Sequence, residues 1–600
     1  MPNVRKLLFA TAGSVLVMVA LAAQRSDVSE SGVILVGMVT SASGETLGGA
    51  TVSARRSGST ITTSVFTDPE GHYYFPPMAA GQYSVRAQVI GWEKAERVFE
   101  LKGVVQERDL VLDPTTDVFT QLPGDQMIAA LPEDTPAHRR MKAVFINVCT
   151  ECHSASMALS NRFDAHGWDA VVTAMSRLET TARFRDRPSP VISQFQDDLV
   201  AYLTEMRGPG PSPIRVETSP RPIGEASLPV VYEYDLPAEV GGGHVLNNGG
   251  DWSLGPPAAS GGGFGIHDAT VDFYDNVWFT YNDRESIARS IGKVDVKTGR
   301  VTDFKYARPD GLAATTHGIF VGHDGMIWFN VNLRDPDVPD SARLGRIDPT
   351  TDVFDVFTPP VGMNAMTIHV AEDGEGQIWG DSSTGAVRFN PATREWRAFE
   401  SLTLPGFTYG AAGDRNGDGW WAQFGIDVVG HADVETGAVT EITLPPSTHG
   451  FLQAGDLSNE DRKALSRQRP RRLAADVNGD DVWVPNFSGN NLMRINIKTM
   501  KTTFYPAPRV GMNPYMAAVD GSHNVWVSFL GGDQVGKFDP TTETWMLYSW
   551  PSRGTALRNL GLVDHDGVVQ VIGAYFNAAR VGRMVMRTER DVQALRARAQ

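Results

Sequence analysis

The chain has only two cysteines in 600 residues, Cys149 and Cys152, separated by two positions. That scarcity excludes the multi-disulfide framework of small secreted domains, and it leaves a thiolate zinc centre without enough ligands. Positive charge is also short, with 54 Lys and Arg against 70 Asp and Glu for a formal net charge of -16. No basic stripe is visible either, which excludes a nucleic-acid partner, because such binding depends on cationic patches that release counterions. Long apolar runs are missing except at the start, where Leu7 to Ala23 follows Arg5 and Lys6 and contains the small residues Ala20 and Ala22. A run of that length with those flanks reads as an export signal over residues 1–23, since a spanning helix needs about 20 apolar residues. No cysteine stands at the cleavage region to accept a lipid. The mature protein is therefore expected to be periplasmic or otherwise exported, with no stable membrane insertion.

At roughly 150 residues per domain the length suggests about four units. From Gly32 to Asp113 apolar and polar residues alternate over short stretches broken by Gly, Pro and Asp turns, the pattern of an antiparallel sandwich. The stretches Gly37 to Gly44, Leu47 to Ala50, Thr67 to Phe75 and Gly81 to Val85 carry the detail. They resemble the carboxypeptidase regulatory-like domain. The resemblance implies a transthyretin/Ig-like β-sandwich over residues 32–113, an accessory module without peptidase chemistry, in a class whose relatives often bind carbohydrate. A glycan is the partner it implies; no HExxH zinc motif is present.

Residues 136–207 change to helical spacing around Met141 to Cys149, Trp168 to Leu178 and Ile192 to Met206. Pro209, Pro211 and Pro213 then read as a stiff linker, and Gly241 to Gly265 as a second, Gly-rich one. Within the helical segment stands Cys149-Thr-Glu-Cys152-His153. Two thiols with two residues between them and a following imidazole are what thioether attachment of one haem c requires, with the imidazole beneath the iron. A redox dithiol would be expected beside a βαβ pattern, which is absent. The sixth iron ligand is open among Met157, His166, Met175 and Met206. The stretch Trp168 to Met175 resembles a helix of class I cytochromes c, with Trp168, Val172 and Met175 spaced i, i+4 and i+7. That resemblance implies a small α-helical cytochrome c domain with His153 and Met175 as axial ligands, and His-Met ligation raises the reduction potential.

Beyond the second linker the sequence repeats. Asp272 to Trp278 recurs at Asp324 to Trp328, Asp373 to Trp379, Asn416 to Trp420, Asn478 to Trp483 and Asp520 to Trp526, with a degenerate copy at Asp564 to Gly567. Most copies are followed by a second signature such as Leu344-Gly-Arg-Ile-Asp348. A period of about 40 to 60 residues suits four-stranded blades, so a C-terminal seven-bladed β-propeller is expected over residues 228–588. The last copy lacks an outer strand. Val230 to Pro237 reads like the outer strand Val439 to Pro445 and is expected to close the ring. The architecture as a whole is mainly β.

The repeats, best seen from His317 to Trp328, resemble virginiamycin B (streptogramin) lyase. The resemblance implies a base at His317 and a magnesium ion held by two carboxylates, but those positions here are Thr315 and Val331, which cannot bind a hard cation in that way. His267 meets Gly265 and Tyr281 at the same offsets, and His449 also lacks the preceding carboxylate. Magnesium is not expected. A pyrroloquinoline quinone site is not expected either, because the tryptophan docking motif and adjacent cysteine pair of eight-bladed quinoproteins are missing.

The residue eleven before each blade tryptophan should line the channel mouth: His267, His317, Tyr409, Arg471 or Arg472, and Tyr515, with Asn559 in the degenerate blade. Met366 is the apolar exception once a two-residue insertion is allowed, and Tyr281 and Asn486 are expected nearby. Such a ring can take up a proton and hold an anion. The expected function is a mono-haem cytochrome with electron transfer activity, fused to a propeller that binds or oxidises a small-molecule substrate or docks a redox partner protein. The alternatives are a lyase-like carbon–oxygen lyase carrying a cytochrome module, and a binding module whose haem senses redox state.

Overall fold

A computed structural model describes residues 32–178, 188–217, 219–239, 243–257, 265–334, 342–447, 456–565 and 568–599. The export signal, part of the Gly-rich stretch, His449 and the end of the degenerate repeat lie outside the described residues.

The N-terminal segment forms two facing sheets. Ile34–Ser41 pairs with His72–Tyr74, Val105–Glu107 and Leu110–Leu112 in one; Ile61–Phe66, Thr51–Arg56, Gly81–Gln88 and Ala95–Leu101 lie in that order in the other. Alternate residues of both, including Leu35, Val39, Val52, Tyr73, Phe75 and Val85, close a dry core between them. The motif glycines fit this frame: Gly71 takes φ +86° where a tight turn brings it under the Val39 carbonyl.

Helices follow. Thr135 caps the Pro136–Cys149 helix by accepting from the His138 amide (3.0 Å), with Pro136 in its first turn. Asp164 caps the Ala165–Arg177 helix through the Gly167 amide (2.9 Å). These two pack with Gln196–Arg207 around Phe145, Trp168, Leu199, Tyr202, Leu203 and Met206. The proline segment expected to be a stiff linker is tied down: Arg162 donates to the Gly208 and Gly210 carbonyls and Ser212 to that of Met206.

The C-terminal segment is a β-propeller. Six four-stranded antiparallel sheets, from Ile266–Val271 to Thr544–Ser549, follow one another in sequence order. The seventh is built from Gly561–His565, Val568–Tyr575 and Arg580–Val585, and Val230–Asp235 completes it, as the strand-like pattern of that segment suggested. The repeats have a physical reason. The carboxylates of Asp272, Asp373, Asp414 and Asp520 each accept the indole N–H of the tryptophan six residues on, at 2.8 to 2.9 Å, and also turn amides such as those of Asn276 and Asn524. A buried indole needs a partner, and this one also fixes the hairpin.

One arrangement was not expected. Val230–Asp235 also pairs with Ile61–Phe66 of the sandwich, so the seventh blade and half of the sandwich form one eight-stranded sheet. Arg580, fully buried, binds Glu233 (3.0 Å) and Asp235 (2.7 Å) on that shared strand.

Candidate functional site

Four of the innermost strands carry a register irregularity beside their mouth residue, between Ile266 and Ala269, Ala365 and Val370, Thr408 and Gly410, and Pro514 and Met516. Amides freed by such irregularities need acceptors. The residue two after the blade tryptophan supplies several: Thr280 accepts from Asp268 (2.8 Å), Asn330 from His317 (2.9 Å) and Asp381 from His369 (2.7 Å). The mouth side chains are thus turned toward the centre by hydrogen-bonded bulges.

These bulges bring His267, His317, Tyr409, Arg471, Arg472 and Tyr515 together. The rings of His267 and His317 lie 3.5 Å apart, His267 Nδ1 is 2.6 Å from Asp268, and the fully buried Arg472 donates to Asp268 (2.6 Å) and to His317 Nδ1 (2.7 Å). His317 Nδ1 also lies 2.8 Å from the Ile368 carbonyl, so it faces a donor on one side and an acceptor on the other. The hydroxyls of Tyr409 and Tyr515 are 2.5 Å apart. Arg471 lies over the rings of Phe487 (3.9 Å), Tyr515 (4.2 Å), Phe424 (4.7 Å) and Tyr409 (5.0 Å). Asn559 stands nearby but gives its amide to the Ala269 carbonyl (3.0 Å).

Three expectations are corrected. Met366 packs, fully buried, in the core of its blade; the mouth residue there is His369, three residues on, whose amide and that of Ile368 the Asp381 carboxylate holds at the bulge. Tyr281 spends its hydroxyl on the Ala238 carbonyl (2.8 Å) and Asn486 bonds Asn491 (2.8 Å), so both brace loops. Sequence reasoning also missed Asp268, beside a residue it chose, and Arg558, which lies in irregular chain over the Phe576 ring (3.7 Å) where no repeat registers.

Burial sets the protonation. It pushes His267 and His317 far below the ordinary imidazole range, with Arg472 adding in the same direction, and takes His369 down to about 3. The three imidazoles are neutral at physiological pH. Burial alone would raise the Tyr515 hydroxyl, but Arg471, Arg558 and Arg472 hold it below the usual phenol value. His267, Asp268 and His317 place ligand atoms within 4.8 Å of one another, yet Arg472 fixes positive charge on two of the three, which opposes a cation. Asp414, Asp418 and His431 also converge within 4.8 Å, but Asp414 is the latch for Trp420.

The Cys149–His153 segment sits on this mouth. Arg558 donates to the Cys152 carbonyl, Arg471 lies 3.5 Å from that of Glu151, and Arg469 pairs with the Glu151 carboxylate. Ser154 donates to Gly531 (3.3 Å), and Asn577 to the Met157 sulfur (3.3 Å). Farther out Arg139 and Arg140 form two-pronged pairs with Asp456 and Asp461, and Arg509 binds Asp125. His153 directs Nδ1 at the Ser154 carbonyl (3.0 Å), and burial, with Arg558 beside it, keeps the ring neutral. Cys149 is raised to about 12 by burial, then by Cys152. Of the sixth-ligand candidates, Met206 is fully buried, His166 is exposed, Met157 is engaged with Asn577, and Met175 lies exposed (37%) on the helix whose Trp168 and Val172 face inward.

Residues 34–113 match the carboxypeptidase regulatory-like domain. That segment is a carboxypeptidase regulatory-like domain. No curated protein sequence matches the chain. Among solved structures the chain is similar to virginiamycin B lyase from Staphylococcus aureus, at 17% identity over 55% of this chain and 97% of that one, with a TM-score of 0.42. A streptogramin B lyase structure gives 18% identity over 54% and 94%, with a TM-score of 0.41. A cavity of about 190 Å³ lies where the regulatory-like domain meets the chain before the propeller, lined by Trp92, Lys94, Thr120 and Trp252 among others. No helix among the described residues is long and apolar enough to cross a membrane.

Proposed function

We propose that the protein is an exported mono-haem c-type cytochrome in which the propeller mouth is the site that exchanges electrons with the haem, making the chain an oxidoreductase or a dock for a redox partner. The observation that carries this reading is the seating of the Cys149–His153 segment on the mouth through Arg558, Arg471 and Arg469. Electron transfer falls steeply with distance, and this seating brings the Cys149–His153 segment against the polar cluster at the propeller mouth.

The donor set fits a haem. Cys149 ends a helix and Cys152 follows in the next turn, the spacing for two thioethers. His153 offers Nε2 to a metal while Nδ1 faces a backbone carbonyl, the outer-shell arrangement that orients ligating imidazoles. Met175 is the candidate whose sulfur is neither buried in the core nor engaged. Bound there, a haem supplies one-electron redox chemistry. The mouth residues supply the rest: imidazoles at His267, His317 and His369 that stay uncharged, and the Tyr409–Tyr515 hydroxyl pair, whose Tyr515 member the arginines make easier to deprotonate. A lyase would need carboxylates where Thr315 accepts from Arg334 (2.8 Å) and Val331 packs in its blade core. A glycan at the N-terminal domain would find its aromatic surface at Trp92 and Trp252.

The test is expression in cells able to mature c-type cytochromes, followed by the haem spectrum of the denatured protein. Covalent haem is expected, with the weak far-red sulfur-to-iron band lost in Met175→Ala. Absence of covalent haem refutes the reading.

A further inference from the structure

Four arginines, Arg469, Arg471, Arg472 and Arg558, meet at the mouth of a chain whose net charge is -16. Arg469 is paired by Glu151 and Arg472 by Asp268. Among the described residues, Arg471 and Arg558 have no carboxylate within ion-pair distance; they hold backbone carbonyls and aromatic faces. Both are buried, at 3% and 8% exposed, and the Nε atoms of Arg471, Arg472 and Arg558 are buried without a hydrogen-bond partner. Stacking on rings offsets part of the burial of a cation, but an unpaired buried guanidinium with a free donor is expensive to maintain. Two of them side by side, next to a third arginine whose Nε is also free, mark a place where negative charge is received.

The surroundings define which negative charge. Phe424, Phe487 and Phe576 wall the cluster with apolar faces, and the two tyrosine hydroxyls add polar contact on one side. Inorganic phosphate, hydrated on all faces, gains nothing from such walls, whereas an organic carboxylate presents two oxygens to the guanidinium forks and a carbon skeleton to the rings. We propose that the propeller mouth binds an organic carboxylate through Arg471 and Arg558 beside the Tyr409–Tyr515 pair. This deepens the redox reading by naming the class of molecule at the mouth, and the binding itself does not depend on that reading. The carboxylate belongs either to a free small molecule or to a propionate of the protein's own haem.

Benzoate is the probe, titrated calorimetrically into the haem-loaded protein and into a Cys149→Ala/Cys152→Ala form, with inorganic phosphate in parallel. Saturable binding to the loaded protein identifies a free carboxylate ligand; binding only to the haem-free form identifies the propionate. In whichever form binds, Arg471→Gln and Arg558→Gln are each expected to weaken benzoate by roughly tenfold or more, the effect of one charge-assisted hydrogen bond, with far-UV circular dichroism unchanged. The proposal is overturned if neither form binds benzoate, if phosphate binds as tightly, or if Arg471→Gln and Arg558→Gln leave benzoate binding unchanged. Failure of haem attachment would sink the redox reading and leave benzoate binding to be decided separately.

Discussion

Replacing Arg580 by Met should unlatch the strand that joins the two β domains. Arg580 is fully buried and reaches Asp235 Oδ1 through Nε and Glu233 Oε2 through Nη1, with Ser552 also accepting from Nη1 at 2.7 Å. Its loss leaves Glu233, fully buried, with hydroxyl partners such as Ser552 (2.6 Å), and Asp235 with Arg55 and Asn248. Removing one partner of such a buried pair typically costs about 3–5 kcal/mol. At about 1.4 kcal/mol per decade this is a fall of roughly two to three and a half decades in amide protection on Val230–Asp235 and Arg580–Val585. Hydrogen exchange reads it, with the fourth-blade strand Gly419–Gln423 as internal reference. The pH dependence provides a second reading. Burial raises the Asp235 carboxyl, but Arg580 and Arg55 outweigh it and hold the group below its usual value. A depressed carboxyl contributes stability that is present above its unfolded value near pH 4 and is lost as pH falls through the folded one. In the variant burial is less opposed, so protonation relieves it, and the gap from wild type should narrow in acid. Unchanged protection at neutral pH, or a gap that widens in acid, would refute this account.

Asp520→Ala should lose about 1–3 kcal/mol, because the Trp526 indole N–H and the Ser522 and Asn524 amides all lose their acceptor; calorimetry of the variant checks it, and a change near zero would mean the repeat's aspartate is not a latch. His138 is raised above its usual value by the hydrogen bond it donates to Asp134, against a small effect of burial, and then by Glu205. Its contribution is therefore complete below about pH 6.5 and lost as pH rises through the folded value. The difference in urea midpoint between wild type and His138→Gln should close between about pH 6 and pH 9; a constant difference would contradict it.

The blades were legible because Asp and Trp recur for a local reason, a carboxylate under an indole within one hairpin, and local causes leave regular spacing. The closing strand could be read for the same reason, since Val230–Asp235 copies the composition of an outer strand. Its second partner, Ile61–Phe66, could not be read, because pairing across some 170 residues of chain leaves no period. Among mouth residues, a fixed offset of eleven before tryptophan picks out those whose bulges match, His267, His317, Tyr409, Arg472 and Tyr515. It fails where one blade slips: His369 stands ten before Trp379, and a tolerance of one residue would have found it. Arg558 had no such signal. The seating of Cys149–His153 depends on carbonyls and guanidiniums whose meeting only tertiary structure specifies.

The shared eight-stranded sheet also orders the events of folding. During synthesis the regulatory-like domain emerges ahead of the propeller, and the Ile61–Phe66 strand is left with an open edge, the kind of surface that recruits another chain if nothing covers it. Val230–Asp235 reaches that edge next, well before the blades exist, and docks on a finished template. Its own far edge then waits for Arg580–Val585, almost the last strand made. A propeller expressed without the N-terminal domain would have to hold its first and last strands in register without that template.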